Sequence, residues 1–554
     1  MSKKQDETYR EYRDRVVDPI SGSFCGAKWY NATVWLNNGT TASCHHPPAH
    51  KIIDVDAGET FEDLKKNPSM IHNTTYKKLV RKQMLIGERP KECEYCWKIE
   101  DLGPEKVSDR VFKSVIYSDE ELEECRDVYA ETEDVDLKTL EIAFDANCNF
   151  ACSYCNASFS TTWQKDIRQN GAYQNLHSDG ARAFQQDGGW TKQFKKNESN
   201  PYTDAFWDWW PKLSQSLQQL RITGGEAAMS PDYWKLCDWW KENGQDLDMK
   251  FAVNSNMGHK GKTMEKFIET SHYFKDFIVY SSCEAVGKQA EYIRDGLEWD
   301  YWKHATDRLL QEGNVKEFHV MMTINSLCLY SITDFMDYCN LLKRKYGHMF
   351  GVYSVNILRF PSFQSPGTLP EHLRHERADH IEKWLNENRD SGIMHDMEID
   401  GVDRLIDYLR SVEEPHRYTS SIESRHKDFK SFYKQYDERR EKDFKYAFPE
   451  LAEWYDSLPY EESIPITQLY DGDSSKQTIE RRELEKRAES DEWKNQKSNP
   501  GSREYVEKKY NIMDLSVMEI DELRKIYKQV SVEHLNADWE KSDLIEEILR
   551  EQEK

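Results

Sequence analysis

Short apolar runs separated by amphipathic stretches fill the middle of this chain. Thr139-Leu-Glu-Ile-Ala-Phe-Asp145, Gln219-Leu-Arg-Ile-Thr223, Lys250-Phe-Ala-Val-Asn254, Phe277-Ile-Val-Tyr-Ser281, Phe318-His-Val-Met-Met-Thr323 and Tyr353-Ser-Val-Asn-Ile-Leu358 are short and rich in strand formers, which predicts six β-strands. Between them apolar residues recur at helical spacing, as in Tyr233-Trp-Lys-Leu-Cys-Asp-Trp-Trp240 and Ile332-Thr-Asp-Phe-Met-Asp-Tyr-Cys-Asn-Leu-Leu342. Strands alternating with helices predict right-handed crossovers and a parallel sheet, hence an α/β fold. Six strands fit a partial (β/α)6 TIM-like barrel, with the site at the carboxyl ends of the strands.

The pattern changes on either side. Upstream, Trp29–Trp35 and Thr40–Ser43 flank Asn37-Asn38-Gly39, a strong hairpin signal. Beyond Pro370 the chain turns helical and charged, with Phe429, Phe432, Tyr433, Tyr436, Phe444 and Phe448 as packing positions. Residues near 470–508 are charged and poor in apolar side chains, and read as an exposed helix or linker. In the tail, Ser516 and Glu519 suggest a capping box, followed by Leu523, Ile526 and Tyr527 at helical spacing and a second helix from Ser542 to Leu549. The stretch from about 169 to 200 is rich in Gly, Asn, Gln, Asp and Lys, and reads as an inserted loop serving as a lid or a substrate-binding element. Seventeen tryptophans are many; Trp207, Trp209, Trp210, Trp234, Trp239 and Trp240 sit at helical spacings that suit helix-to-sheet packing.

Composition narrows the function classes. A net charge of −24 argues against sequence-independent nucleic-acid binding, and Lys192, Lys195 and Lys196 read as a solvated loop. No apolar run is long enough to span a bilayer, and Met1-Ser-Lys-Lys-Gln-Asp-Glu lacks a signal-peptide core, so a cytoplasmic location is expected. Cytosolic cysteines stay reduced, so grouped ones read as metal ligands rather than disulfides. Cys125, Cys237, Cys283, Cys328 and Cys339 are scattered and read as packing residues.

The most specific feature is Cys148-Asn-Phe-Ala-Cys152-Ser-Tyr-Cys155, three thiols in one loop after the first predicted core strand. With twelve cysteines in 554 residues, chance produces this C-x3-C-x2-C spacing with a probability of about 0.006. Three thiolates can hold a cubane iron–sulfur cluster and leave one iron open for a small molecule; a zinc knuckle with a distant fourth ligand is the competing reading. The second strand runs straight into Gly224-Gly225-Glu226, where paired glycines allow close backbone approach to a ligand.

These motifs resemble those of the radical S-adenosylmethionine (SAM) enzymes, over roughly residues 135–370. The resemblance implies that Cys148, Cys152 and Cys155 hold a [4Fe–4S] cluster whose open iron chelates SAM. One-electron reduction then yields methionine and a 5′-deoxyadenosyl radical that takes a hydrogen atom from the substrate. It also implies SAM contacts from Gly224, Gly225 and Glu226, from Asn254 and Asn256 after the third strand, and from Ser282 and Arg294, the last facing the SAM carboxylate. The family's usual Asp-Gly after strand four is replaced here by Glu284-Ala285.

A second constellation lies upstream: Cys25, Cys44 after Gly39, then Cys93-Glu-Tyr-Cys96. It resembles the auxiliary-cluster half domain called twitch, a short form of the SPASM domain, placed here before the barrel as in permuted proteins common among marine viral and bacterial sequences. Four cysteines can close a second [4Fe–4S] cluster or a zinc site, and His45 and His46 strengthen the zinc alternative. The expected organisation is an auxiliary unit over 1–130, a barrel over 131–370 with an insert near 165–200, a helical extension over 371–465, a charged linker over 466–510 and a helical tail module over 511–554.

The leading expectation is therefore a radical SAM enzyme in the cytoplasm (of a host, if viral). Its substrate is expected to be a peptide or protein, with a small molecule as the other class, and its reductant a flavodoxin or ferredoxin. The rival is a non-catalytic zinc-stabilised adaptor with a partner-binding tail.

Overall fold

All six apolar runs form strands in this computed structural model, and they lie side by side in the order in which they occur along the chain. The structure describes residues 3–126, 134–186, 199–411 and 419–461, all within the compact unit Met1–Ser463. The expected linker over 466–510, the tail helices and Lys192, Lys195 and Lys196 lie outside the described residues. Strands among the described residues are β1 Asn31–Trp35, β2 Thr40–Ala42, β3 His50–Lys51, β4 Thr139–Ala143, β5 Ala151–Cys152, β6 Gln219–Thr223, β7 Lys250–Ser255, β8 Asp276–Ser282, β9 Arg294–Asp295, β10 Glu317–Ile324 and β11 Phe350–Ile357.

Nine of them make one sheet in the order β11-β10-β8-β7-β6-β4-β1-β2-β3. The run from β4 to β11 is parallel throughout. Each crossover in that run carries a helix: Pro201–Ser216, Pro231–Asn243, Lys262–Ser271, Trp299–Glu312 and Ile332–Tyr346. The hairpin forms as its Asn-Asn-Gly turn predicts, with Gly39 at φ +68° and Trp35 opposite Thr40. Its first strand then pairs in parallel with β4, so the amino-terminal segment extends the same sheet.

Alternation along the strands gives the sheet two different faces. Leu140, Ile142, Leu220, Ile222, Phe251 and Val253 are fully buried, with Trp240 and Phe274 packed on Phe251. Trp209 and Trp210 are buried as well, which agrees with a packing role for the tryptophans. The opposite face carries half-buried polar side chains: Glu141, Arg221, Asn254, Tyr280 and His319.

The helix Ile422–Arg440 braces this assembly. Phe429, Phe432, Tyr433 and Tyr436 on it, with Phe444 and Phe448 beyond it, are all buried as expected. The described part of the predicted insert is not a free loop. Thr161–Asn170 is a helix, and after it Tyr173 and Phe184 pack on Phe432. The Asp428 carboxylate accepts hydrogen bonds from the backbone of His177 and Ser178 at 2.8 and 2.7 Å. A lid role therefore does not fit residues 161–186, because aromatic packing and a buried carboxylate tie them down.

Candidate active site and cysteine cavity

The loop leaving β4 carries Cys148, Cys152 and Cys155, and the structure fixes it at each one. Cys148 is held by its own backbone: its N–H donates to Thr161 Oγ1 at 3.2 Å, and its carbonyl accepts from Thr162 Oγ1 at 2.6 Å. Cys152 lies in β5, paired antiparallel with β9 so that it stands opposite Arg294. Its carbonyl accepts from Trp163 Nε1 at 3.0 Å. Cys155 closes a turn by donating its N–H to the Cys152 carbonyl at 2.9 Å. From behind, Tyr436 Oη donates to the Ala151 carbonyl and Gln364 Nε2 to the Ser153 carbonyl. Arg440 stacks on Trp163 and Tyr436 and pairs with Asp166 and Asp295, tying the loop's two neighbours together.

The glycine pair meets this loop at backbone distance. A Cβ on Gly224 would stand 2.7 Å from the Asp145 carbonyl oxygen, and one on Gly225 would stand 2.5 Å from that of Asn147. Gly224 also has φ +127°, a conformation that suits glycine alone. The Glu226 N–H donates to Asn147 O at 2.7 Å, which locks the end of β6 beneath the cysteine loop.

The remaining predicted residues surround this junction with distinct roles. The Glu226 side chain turns inward: it is 2 % exposed and accepts from Asn256 N at 2.6 Å and Ala228 N at 3.3 Å. Burial pushes its carboxyl up to about 7. Glu226 thus buckles β6 to β7. Asn256 donates from Nδ2 to Asn149 Oδ1 of the cysteine loop at 2.8 Å, while Asn254 accepts from Arg221 Nε at 2.8 Å on the polar face. Ser282 ends β8 opposite Met321, half-buried on that same face.

Arg294 has a partner that the sequence pattern did not signal. Its guanidinium is 4 % exposed and binds Glu284, with Nη2 to Oε2 at 2.5 Å. Tyr154 Oη donates to the same carboxylate at 3.2 Å. Burial works against the Arg294 charge, but the adjoining Glu284 outweighs it and holds the group protonated. Nη1 meanwhile lies 3.8 Å from Cys152 Sγ.

Burial raises all three thiols, Cys155 to about 12. For Cys148 the neighbouring Cys152 adds to the rise, whereas for Cys152 Arg294 opposes it. Thiols in this state bind metal by releasing protons, and the metal's charge replaces what burial withholds.

Sequence reading missed Arg221. It lies 4.0 Å over the Tyr280 ring, and its Nη2 is 3.0 Å from Met321 Sδ. The signal was present: a charged residue between Leu220 and Ile222 in a parallel strand marks its polar face.

The upstream cysteines also converge. Cys25, Cys44, Cys93 and Cys96 line one small cavity of about 20 Å³. Cys25, Cys93 and Cys96 belong to a smaller hydrophobic core, separate from the one that packs the triad. Burial raises Cys25, Cys93 (to about 11) and Cys96. Ser108 Oγ and Arg110 Nε both donate to Glu100 Oε1, at 2.6 and 2.7 Å. The wall carries two buried cations, Lys28 paired with Glu92 and Arg110 paired with Glu100 and Asp18. Outside the wall, Lys77 is 1 % exposed and donates to Thr41 Oγ1 at 2.9 Å. Burial, then Arg81 and Lys28, pull the Lys77 ammonium well below its ordinary range. Among the described residues, the trio of His, Cys, Asp or Glu side chains whose ligand atoms all lie within 4.8 Å of one another is His45, His46 and Asp109. Neither cysteine set is drawn in to the spacing of a single zinc ion, whose tetrahedral sulfurs sit about 3.8 Å apart. The scattered cysteines Cys125, Cys237, Cys283, Cys328 and Cys339 are fully buried, as packing residues are.

Among the described residues, no helix is long and apolar enough to cross a membrane. No protein-family model matches the chain, and no curated protein matches it. Solved structures give remote likenesses. SuiB from Streptococcus suis is 14% identical with a TM-score of 0.29, over 57% of this chain and 62% of that one. SuiB bound to precursor peptide SuiA is 13% identical at 0.29, over 65% and 70%. Native anSMEcpe with bound AdoMet is 12% identical at 0.29, over 58% and 100%. The chain thus spans less than two thirds of the first of these, and the site's own chemistry must carry the functional reading.

Proposed function

We propose that this chain is a radical SAM enzyme on a partial (β/α)6 barrel, with a twitch-like auxiliary [4Fe–4S] centre in the amino-terminal cysteine cavity. The observation that carries the reading is the junction of the cysteine loop with Gly224 and Gly225. Three cysteines sit on the loop after the first of six sequential parallel strands, and the next strand end presses against that loop where only glycine fits. Cys148, Cys152 and Cys155 hold the catalytic cluster. When bound, that cluster with SAM on its open iron supplies the electron that cleaves SAM to methionine and a hydrogen-abstracting 5′-deoxyadenosyl radical.

The chain's own residues supply position and charge. Gly224 and Gly225 let the strand end close on the cysteine loop, and Asn254, Asn256 and Ser282 offer polar groups at neighbouring strand ends. Arg294, held by Glu284, would balance thiolate charge at Cys152. Glu141, Arg221, Asn254, Tyr280 and His319 present alternating donors and acceptors on the polar face, a lining suited to the amide and carboxylate groups of a peptide or protein. The electron is expected to come from a flavodoxin or ferredoxin.

Buried Lys28 and Arg110 in the cavity wall support the auxiliary centre: their positive charge suits the four thiolates that a metal cluster would bring beside them. Iron and sulfide analysis after anaerobic reconstitution tests the assignment. The reading predicts about eight irons per chain; stoichiometric zinc with no sulfide would favour the adaptor instead.

A further inference from the structure

We infer that His45, His46 and Asp109 form a mononuclear site for a divalent transition-metal ion, distinct from both cysteine centres. His46 Nε2 lies 2.7 Å and His45 Nε2 3.7 Å from the same oxygen, Asp109 Oδ2, and the three ligand atoms all fall within 4.8 Å of one another. Two imidazoles and a carboxylate on one side of an ion leave its other positions open, a donor set that suits zinc or ferrous iron.

The set is held in place before any ion arrives. Pro47 follows His46 and restricts its backbone to extended conformations. The His46 ring stacks on Tyr95 at 3.8 Å with a 15° tilt. Asp109 opens the helix Asp109–Ser114, and its neighbours Ser108 and Arg110 are both anchored to Glu100 Oε1, at 2.6 and 2.7 Å. A helix-terminal role accounts for an acid at position 109, but not for two imidazoles gathered on one of its oxygens.

His46 and Asp109 also line the cysteine cavity, so the ion sits at its edge. The side chain of His45 is 65 % exposed, which leaves an entry path from solvent. Lys113 lines the same cavity and opposes a purely ionic ligand. An ion with covalent affinity for imidazole therefore fits here better than calcium or magnesium.

The test is zinc uptake by the full reconstituted chain, measured by elemental analysis after equilibrium dialysis against zinc, beside the His45→Ala/Asp109→Asn variant. The inference predicts that the variant binds one zinc fewer per chain with its iron unchanged. His45→Ala alone, a change to a mostly exposed side chain, should weaken uptake at least tenfold without loss of folded signal. Equal zinc in variant and parent overturns the site. A fall in iron parallel to zinc also overturns it, since the three residues would then belong to the cysteine centre.

Discussion

Arg294 stands opposite Cys152 across a two-residue antiparallel pair, with its guanidinium Nη1 3.8 Å from the cysteine sulfur and its other edge clamped by Glu284. A buried cation is thereby fixed against one ligand of the proposed cluster, on a segment that would otherwise be an unsupported loop. Glu284 accepts from both Nε and Nη2 of Arg294.

Removing one partner of this pair leaves a buried charge alone, which costs about 3–5 kcal/mol. Glu284→Gln should therefore destabilise the protein strongly in denaturant unfolding. Arg294→Met combined with Glu284→Leu should cost much less than the two single changes together. Arg294→Gln should also make the reduction potential of the cluster at Cys152 more negative, because a nearby positive charge is lost; an unchanged potential would place Arg294 outside the cluster's field.

Gly225→Ala should push the backbone carbonyl of Asn147 and displace the cysteine loop. We expect a loss of about 1–3 kcal/mol in stability and a loss of cluster iron. Gly22→Ala, where a Cβ meets nothing within 4 Å, is the control and should stay within about 0.5 kcal/mol of the parent. Retained iron and stability in the Gly225 variant would separate the glycine pair from the cysteine loop.

Glu226 gives the fold a pH signature. Burial raises its folded value to about 7, above the unfolded 4.5, so the folded state holds a proton that the unfolded chain has already released. Its stabilising effect is full below the unfolded value and is lost as pH rises toward 7, by up to about 1.4 kcal/mol per pH unit. Glu226→Gln should flatten unfolding free energy between pH 4.5 and 7, read from urea titrations. The same slope in the variant would assign it to another group.

Cys93→Ala/Cys96→Ala should lower iron from about eight to about four per chain while the triad keeps its own. In the metal-free protein, Lys77→Met should raise stability, because burial works against the Lys77 charge. In the loaded protein the same change should shift the auxiliary potential downward. An iron content unmoved by the cysteine changes would refute the auxiliary centre.

Much of the frame was legible in the chain. The six core strands announce themselves as short runs rich in strand formers, and the crossovers because helices repeat at a different period. Asn37-Asn38-Gly39 likewise marks its hairpin. The parallel pairing of β1 with β4 was not legible, since it depends on a register between segments about a hundred residues apart. Local pattern also could not show which way a polar side chain turns. Glu226 reads as a ligand contact from its motif but spends its carboxylate on Asn256 and Ala228, and Arg294 spends its guanidinium on Glu284. The grouping of Cys25 and Cys44 with Cys93 and Cys96 was legible from spacing; the buried lysines around them were not.

The central claim is tested most directly by 5′-deoxyadenosine release. After anaerobic reconstitution and reduction with dithionite, the protein should be brown, show cluster absorbance and release 5′-deoxyadenosine from SAM. Cys148→Ala, Cys152→Ala and Cys155→Ala should each abolish that release. A colourless protein holding stoichiometric zinc and releasing no 5′-deoxyadenosine would contradict the account.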